Sequence, residues 1–341
     1  MVPTQTPTLE SHLSILLQNS PTRHTQLRTS VLPSLLQAIG EIASTLRSSS
    51  QVCQVGTANA FGDNQLNVDV IAESHIRAAI SATPSIVTAS SEEDPIERSS
   101  RDSSLGEQSQ DSEIYTLAFD PLDGSSIIDA NWSVGCIIGL WTGASALYAA
   151  PDECQIASIL GVFGPRTSAI VALRIPGIGE PTCFEVGISP LKADDGLFVL
   201  EVVRQHIELA PPPFTTRYFA PANMRAAAED ERYRELVTHF VMEKYTLRYS
   251  GGLVPDVVHA LVKGHGVYVS PVTEKSKAKL RRLYELAPIA LIVESAGGLA
   301  IDPSSGERIL AREVKDTDER GGLVCGSKDE VVSVIEKLRP Q

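Results

Sequence analysis

Asp120-Pro121-Leu122-Asp123-Gly124-Ser125-Ser126, which follows the apolar run 114–119, decides the reading of this chain. An apolar strand that ends in two acids is a poor choice for packing alone, because a buried carboxylate is costly unless it is paired or binds a metal. Pro121 stiffens the link between the two acids. Hard cations such as Mg2+ take oxygen ligands and keep part of their shell for water and substrate phosphate. The Gly-Ser-Ser turn offers bare backbone N–H groups and hydroxyls to a phosphate oxygen. Two more acidic groups stand upstream: Glu92 and Glu93 in Ser91-Glu92-Glu93-Asp94, and Asp63 with Asp69 in the run 62–69. Glu285 follows far downstream in Tyr284-Glu285-Leu286-Ala287-Pro288. Carboxylates drawn from several segments suit a centre of two or more Mg2+ ions that activates water and neutralises a leaving oxygen. Phosphate monoesters, among the slowest bonds to hydrolyse, need that help. The residues predict a metal-dependent phosphatase.

Outward from this stretch, the spacing of apolar residues predicts helices over 9–17, 31–46 and 67–80 and strands over 85–90, 114–119, 134–140 and 168–173. The polar, Ser-rich stretch 98–112 reads as an exposed loop or disordered insert. Beyond residue 205 the elements alternate. Helices are predicted over 231–244, 254–263, 279–285 and 328–338, with an apolar stretch at 288–296. Strands are predicted over 266–269, 299–302 and 323–325. This divides the chain into an N-terminal α+β metal-binding half, 1–205, and a C-terminal α/β substrate-binding half, 206–341.

The 341 residues, 43% hydrophobic and 21% charged, suit a globular protein with a sizeable core. A net charge of -13 with no basic stripe argues against a nucleic-acid partner. No apolar run approaches the roughly 20 residues that span a bilayer, so no membrane is expected. The N-terminus has no secretory pattern, and 14–40, with Arg23 and Arg28, reads as a helix pair rather than a transit peptide. A cytoplasmic location follows as the expectation. The five scattered cysteines read as free thiols, the histidines form no zinc pattern, and no segment has EF-hand spacing.

The second half supplies cations. Arg248 stands beside Tyr249 ahead of the Gly251-Gly252 pair, and Lys275, Lys277, Lys279, Arg281 and Arg282 form a basic run that leads to Glu285. A basic cluster next to an acidic metal centre suits a substrate with phosphates at both ends, one cleaved at the metals and one held by Arg and Lys.

Together, Asp-Pro-Leu-Asp-Gly-Ser-Ser, Ser-Glu-Glu-Asp, Gly-Asp-x5-Asp and Lys-Leu-Arg-x-Leu-Tyr-Glu resemble the sugar bisphosphatase family. This family comprises class I fructose-1,6-bisphosphatase and sedoheptulose-1,7-bisphosphatase, within the lithium-sensitive phosphatase superfamily. The segments 160–167, 219–226 and 243–257 look closer to the sedoheptulose enzyme. The resemblance implies a layered α-β-α-β-α sandwich. It also implies metal ligation by Asp63, Glu92, Asp120, Asp123, Glu285 and the Leu122 carbonyl, with two or three Mg2+ per site, or Mn2+ in their place. Asp69 and Glu93 match the residues that polarise the attacking water, and Gly124, Ser125 and Ser126 match the loop on the phosphate being cleaved. Asn223, Arg248, Tyr249 and Lys279 match contacts to the far phosphate and sugar. In the fructose enzyme the arginine matching Arg248 reaches over from a neighbouring subunit, so a homodimer or homotetramer is implied.

The chain also departs from the family. Ile114, Tyr115 and Thr142 stand where the fructose branch contacts AMP, so AMP inhibition is expected to be absent. Cys53 has no partner in a CxxxxC pair, so redox regulation of the plastid type is not supported. The expected activity is hydrolysis of sedoheptulose 1,7-bisphosphate to sedoheptulose 7-phosphate. The alternatives are fructose 1,6-bisphosphate to fructose 6-phosphate, an inositol phosphate or nucleotide phosphatase of the superfamily, and an inactive regulatory homologue.

Overall fold

Four strands explain the layering: Tyr115–Asp123, Val134–Thr142, Gln155–Phe163 and Thr167–Leu173. Leu117, Phe119, Cys136, Ile138, Ala157, Ile159, Ala169 and Val171 face one core, whereas Ala118, Ile137, Leu160, Ile170 and Ala172 face another. Successive side chains point to opposite faces of a sheet, so strands apolar at every position must be covered on both sides. These strands belong to an eight-stranded sheet in the computed structural model, which describes residues 7–18, 24–58, 64–100, 113–177 and 179–339.

The sheet is an antiparallel run from Tyr115–Asp123 through Thr182–Lys192 to the edge strand Phe198–Arg204. On the other side of Tyr115–Asp123, Ile86–Ser91 pairs with it in parallel. The helices Leu9–Leu16, Leu32–Ser48 and Asn67–Ser81 bury their apolar faces on one side of the sheet. The other side is covered by Leu253–Lys263 and Ala287–Ser295. Residues 287–293 are buried without exception, as expected of a helix enclosed on all sides. Beyond it lies a five-stranded sheet in the order Thr246–Leu247, Tyr218–Pro221, Val267–Ser270, Leu323–Gly326, Leu299–Ile301. Glu231–Met242 and Lys328–Leu338 cover its outer face around a third core. The five layers are those of an α-β-α-β-α sandwich. A Cβ at Gly135 would lie 2.4 Å from Cβ of Val254, so this glycine lets the helix Leu253–Lys263 seat directly on its strand.

Three expectations need correction. The stretch 279–285 is not a helix. Leu280–Arg281 is a short strand paired with Arg320–Gly321, and Arg282–Leu286 is one wide helical turn. Arg281 and Arg282 are buried and ion-paired to acids from distant segments, and those pairings outweigh local helical preference. The stretch 98–112 is not all loop, since Arg98–Ser99 forms an edge strand against Thr88 and Ala89. Residues 101–112 lie outside the described part. Four strands at 155–163, 182–192, 198–204 and 218–221 were not anticipated. They bury both faces or end in polar residues, which hides the period of two.

A buried ion network ties the last helix to the small sheet. Glu330 accepts from Arg217 Nε and Nη2 at 2.9 and 2.8 Å, from Tyr245 Oη at 2.7 Å, and contacts His265 Nε2 at 3.3 Å. Burial alone would raise the Glu330 pKa, but the hydrogen bonds from His265, Tyr245 and Arg217 outweigh it and hold it at about 2. Folding therefore stabilises the carboxylate above its unfolded pKa near 4.5, and that stability is lost as pH falls through about 2. Glu330→Gln should cost about 2 kcal/mol at pH 7, less than the full shift implies because Arg217 is partly exposed and screened. Denaturant titrations at pH 7 and near pH 2.5 should show the gap between variant and wild type narrowing in acid. An equal gap at both values would rule this account out.

Candidate active site

The parallel pairing of Ile86–Ser91 with Tyr115–Asp123 sends both chains out at the same end of the large sheet. Ser91 is in register with Phe119, and the Glu92 amide donates to the Phe119 carbonyl at 3.0 Å. Glu92 and Glu93 are thereby set beside Asp120. Pro121 cannot donate to a ladder, and the pairing slips here: Asp120 lies opposite Ile137 but Asp123 opposite Gly135. The bulge turns Asp120 and Asp123 toward a common space. Glu285 reaches it from the wide turn Arg282–Leu286.

Carboxylate oxygens of Asp120, Asp123 and Glu285 lie within 4.8 Å of one another, and all three residues are buried. Each is held in place. Asp120 accepts the Leu122 amide at 3.0 Å, and Glu285 accepts the Arg281 amide at 2.6 Å. Asp123 takes two amides from the N-terminus of the helix Leu253–Lys263, Leu253 at 3.3 Å and Val254 at 2.7 Å. Free amides at a helix start favour an anion. Glu92 is held by an ion pair with Arg281, which is 3% exposed.

The charges crowd. Burial first, then the charges of Glu92, Asp123 and Glu285, pushes the Asp120 pKa well above the carboxylate range. Glu285 is raised for the same reasons, burial leading and Glu92 next. Asp123 rises to about 7, mainly by burial, against the two amides that lower it. Asp69 also rises to about 7 through burial and the charges of Glu93 and Glu92. One Asp69 oxygen accepts the Leu66 amide at 2.9 Å, while buried Oδ1 has no partner among the described residues. An all-oxygen set of clustered, buried anions with an orphaned acceptor nearby fits a hard divalent cation.

Beside this cluster the chain turns at Gly124, whose φ of 91° is left-handed. Only glycine takes that turn cheaply, and an added Cβ would meet Val134 Cγ1 at 3.2 Å. Ser125 and Ser126 open the short helix Ser125–Ile128 that follows.

The remaining candidates gather at the small sheet. Tyr218–Pro221 runs parallel to both Thr246–Leu247 and Val267–Ser270. Their carboxyl ends therefore deliver Asn223, Arg248 with Tyr249, and the loop after Ser270 to one edge, where ligands bind in α/β sheets. Asn223 Nδ2 donates to the carbonyls of Pro271 at 2.7 Å and Ser276 at 3.5 Å, which fastens the loop that leads to Lys279. Arg248 is exposed, its guanidinium 5.7 Å from the Tyr218 ring. Tyr249 and Lys279 are exposed as well. Asp63 lies outside the described residues, and Leu122 and Glu93 sit where the bulge and the Ser91 turn put them.

Three residues of consequence went unread in the sequence. Arg281 was counted in a surface basic run, yet it is buried on Glu92. Glu73, one turn after Asp69 on the same helix, binds Arg77 at 2.7 Å and accepts from Ser91 Oγ at 2.9 Å, which braces the Glu92-Glu93 turn. Asp256 accepts the amides of Ser250 and Gly251. For Asp256 the one available signal was an acid in the first turn of an apolar helix, and that pattern is common without function.

The family models described as "Fructose-1-6-bisphosphatase, N-terminal domain" and "Fructose-1-6-bisphosphatase, C-terminal domain" match residues 12–186 and 213–339. Chloroplastic sedoheptulose-1,7-bisphosphatase of Spinacia oleracea is 34% identical over 308 residues, 89% of this chain and 73% of that protein. Class 1 fructose-1,6-bisphosphatase of Geobacter sulfurreducens is 30% identical over 282 residues, 82% of each. The crystal structure of a putative sedoheptulose-1,7-bisphosphatase from Toxoplasma gondii superposes with a TM-score of 0.81 at 34% identity, covering 97% of this chain and 98% of that one. Fructose-1,6-bisphosphatase of Leishmania major in its holo form superposes with a TM-score of 0.78 at 26% identity, covering 98% and 99%.

Proposed function

Because the chain belongs to the fructose-1,6-bisphosphatase family, and is therefore a sugar bisphosphate phosphatase, we propose that it removes the 1-phosphate of sedoheptulose 1,7-bisphosphate. The products are sedoheptulose 7-phosphate and phosphate. The observation that carries the reading is the buried cluster of Asp120, Asp123 and Glu285 beside the Gly124 turn. The seven-carbon sugar is supported by the 34% identity to a sedoheptulose enzyme against 30% to a fructose enzyme.

In this reading Asp63, Glu92, Asp120, Asp123, Glu285 and the Leu122 carbonyl hold Mg2+. When bound, the ions supply a nucleophilic water at neutral pH and offset charge on the leaving oxygen. Asp69, one of whose oxygens has no hydrogen-bond partner among the described residues, is suited to accept that water's proton, and Glu93 stands beside it. Gly124, Ser125 and Ser126 hold the phosphate being cleaved. Asn223, Arg248, Tyr249 and Lys279 hold the far phosphate and sugar. The exposed Arg248 is consistent with a role in a homodimer or homotetramer. The reading includes no AMP inhibition. Tyr115 is buried with its hydroxyl on Glu113 at 2.8 Å, and the Thr142 hydroxyl donates to the Cys154 carbonyl at 3.2 Å.

Phosphate release should be measured on both bisphosphates with Mg2+. The expected result is a kcat/KM at least about tenfold higher for the seven-carbon sugar, a difference of about 1.4 kcal/mol. A chelator should abolish it and Mg2+ restore it. A preference for fructose 1,6-bisphosphate would overturn the substrate assignment, and activity untouched by chelation would overturn the metal assignment.

A further inference from the structure

The helix Asn67–Ser81 carries Asp69 in its first turn and Glu73 one turn later, on the same face. Asp69 is fixed by the helix start, through the Leu66 amide. Glu73, whose side chain is 17% exposed, reaches across to the turn 91–94. Its Oε1 accepts Ser91 Oγ at 2.9 Å and Arg77 Nε at 2.7 Å. Ser91 is fully buried and is the hub of that turn. Its amide donates to the Asp94 carbonyl at 3.0 Å, and its Oγ accepts the Asp94 amide at 2.9 Å. Glu93 lies between these two bonded residues. Burial raises the pKa of both Asp69 and Glu73, and the charge of Glu93 adds to it in each, so Glu93 stands close to this face of the helix. Glu92 has its own tie, to Arg281.

We propose that Glu73 is a positioning residue for the attack on phosphate, fixing Glu93 relative to Asp69 through the Ser91 hydroxyl. The inference rests on the bisphosphatase reading above, in which Asp69 and Glu93 act on the attacking water. One rigid helix then holds the first member of that pair directly and the second by way of Glu73. The Ser91 hydroxyl has a single proton, and giving it to Glu73 leaves a lone pair for the Asp94 amide. Without the carboxylate this buried donor loses its acceptor, and the hydroxyl turns to find another at the expense of the Asp94 amide. The turn then loosens at Glu93. A proton acceptor displaced by about 1 Å costs rate without any change in the groups that bind the sugar. The i,i+4 pair of Glu73 with Arg77 also stabilises the helix, but that contribution moves the melting temperature and leaves the turnover of folded enzyme alone.

The test compares wild type with Glu73→Ala, Glu73→Gln, Ser91→Ala and the double alanine variant. Phosphate release from sedoheptulose 1,7-bisphosphate and fructose 1,6-bisphosphate at saturating Mg2+ gives kcat and KM. Amide exchange over residues 91–94 in metal-free protein gives a readout independent of turnover. Glu73→Ala should lower kcat about tenfold or more, with KM within about threefold, and should speed exchange of the Asp94 amide about tenfold. Glu73→Gln keeps an oxygen for Ser91 and should hold kcat within about threefold of wild type. Ser91→Ala should match Glu73→Ala, and it carries the test if Glu73→Ala does not fold. The double variant should be scarcely worse than either single one, because both act through one hydrogen bond. Values of kcat and exchange within about twofold of wild type in both alanine variants, or full additivity in the double variant, overturn the proposal. Wild type that releases no phosphate from either sugar overturns the bisphosphatase reading and this proposal with it. Active wild type with unshifted variants overturns this proposal alone.

Discussion

Asp120→Ala is expected to lower kcat/KM roughly a thousandfold or more while the protein still folds, in keeping with the loss of a preorganised electrostatic group at a reacting phosphate. The sign of the stability change makes the prediction specific. Carboxylate oxygens of Asp120, Asp123 and Glu285 lie within 4.8 Å of one another, and after burial the charges of Glu92, Asp123 and Glu285 raise the pKa of Asp120, so without metal the cluster repels. Removing one charge should leave the melting temperature of metal-free protein unchanged or higher. The stabilisation that Mg2+ confers on wild type by binding the folded state should shrink in the variant. Melting curves with and without Mg2+, read beside phosphate release, check all three statements. A variant that turns over normally at saturating Mg2+, or that is unfolded without metal while wild type is folded, contradicts the assignment of Asp120 to the metal centre.

Arg248→Ala combined with Lys279→Ala should raise KM for the bisphosphate roughly 10²- to 10⁴-fold. A hydrogen bond from a charged donor to phosphate is worth about 1.5–3 kcal/mol, and two are lost. Neither side chain supports the fold: both are exposed, and the Arg248 guanidinium contacts only the Tyr218 ring and the Leu247 carbonyl at 2.8 Å among the interactions seen. The melting temperature should therefore stay within a degree or so of wild type. A sugar carrying only the 1-phosphate should lose much less on the same substitutions, since it presents nothing to these cations. Equal losses on both substrates would refute a distal role and favour a phosphatase that recognises a single phosphate.

Much of this molecule was legible in the chain. The helices near 9–17, 31–46, 67–80 and 328–338 follow apolar spacing closely. Asp120, Asp123 and Glu285, picked out as acids at the ends of apolar segments, meet in space. The segment 279–285 was misread because Leu280, Leu283 and Tyr284 repeat at helical spacing. Arg281 and Arg282 give up that helix to meet Glu92, Asp302 and Glu319. The strand at 155–163 is hard to read because burial on two faces removes the alternation that marks a half-buried strand, and the edge strand at 198–204 because apolar Val199 and Val203 are exposed on its outer side.

By itself the sequence determined which residues are proposed to carry the chemistry. An acid is costly to bury, so acids at the ends of apolar strands point to a metal, and Gly-Ser-Ser beside them points to a phosphate. Only the tertiary structure decided how those residues are held. Arg281 on Glu92, the helix start at Leu253 on Asp123, and Asp256 on the turn after Tyr249 join residues that, in the first two cases, lie more than a hundred positions apart. A charged residue leaves the same local pattern whether water or a distant partner satisfies it. Which of the two applies is fixed only when the layers pack and exclude the water.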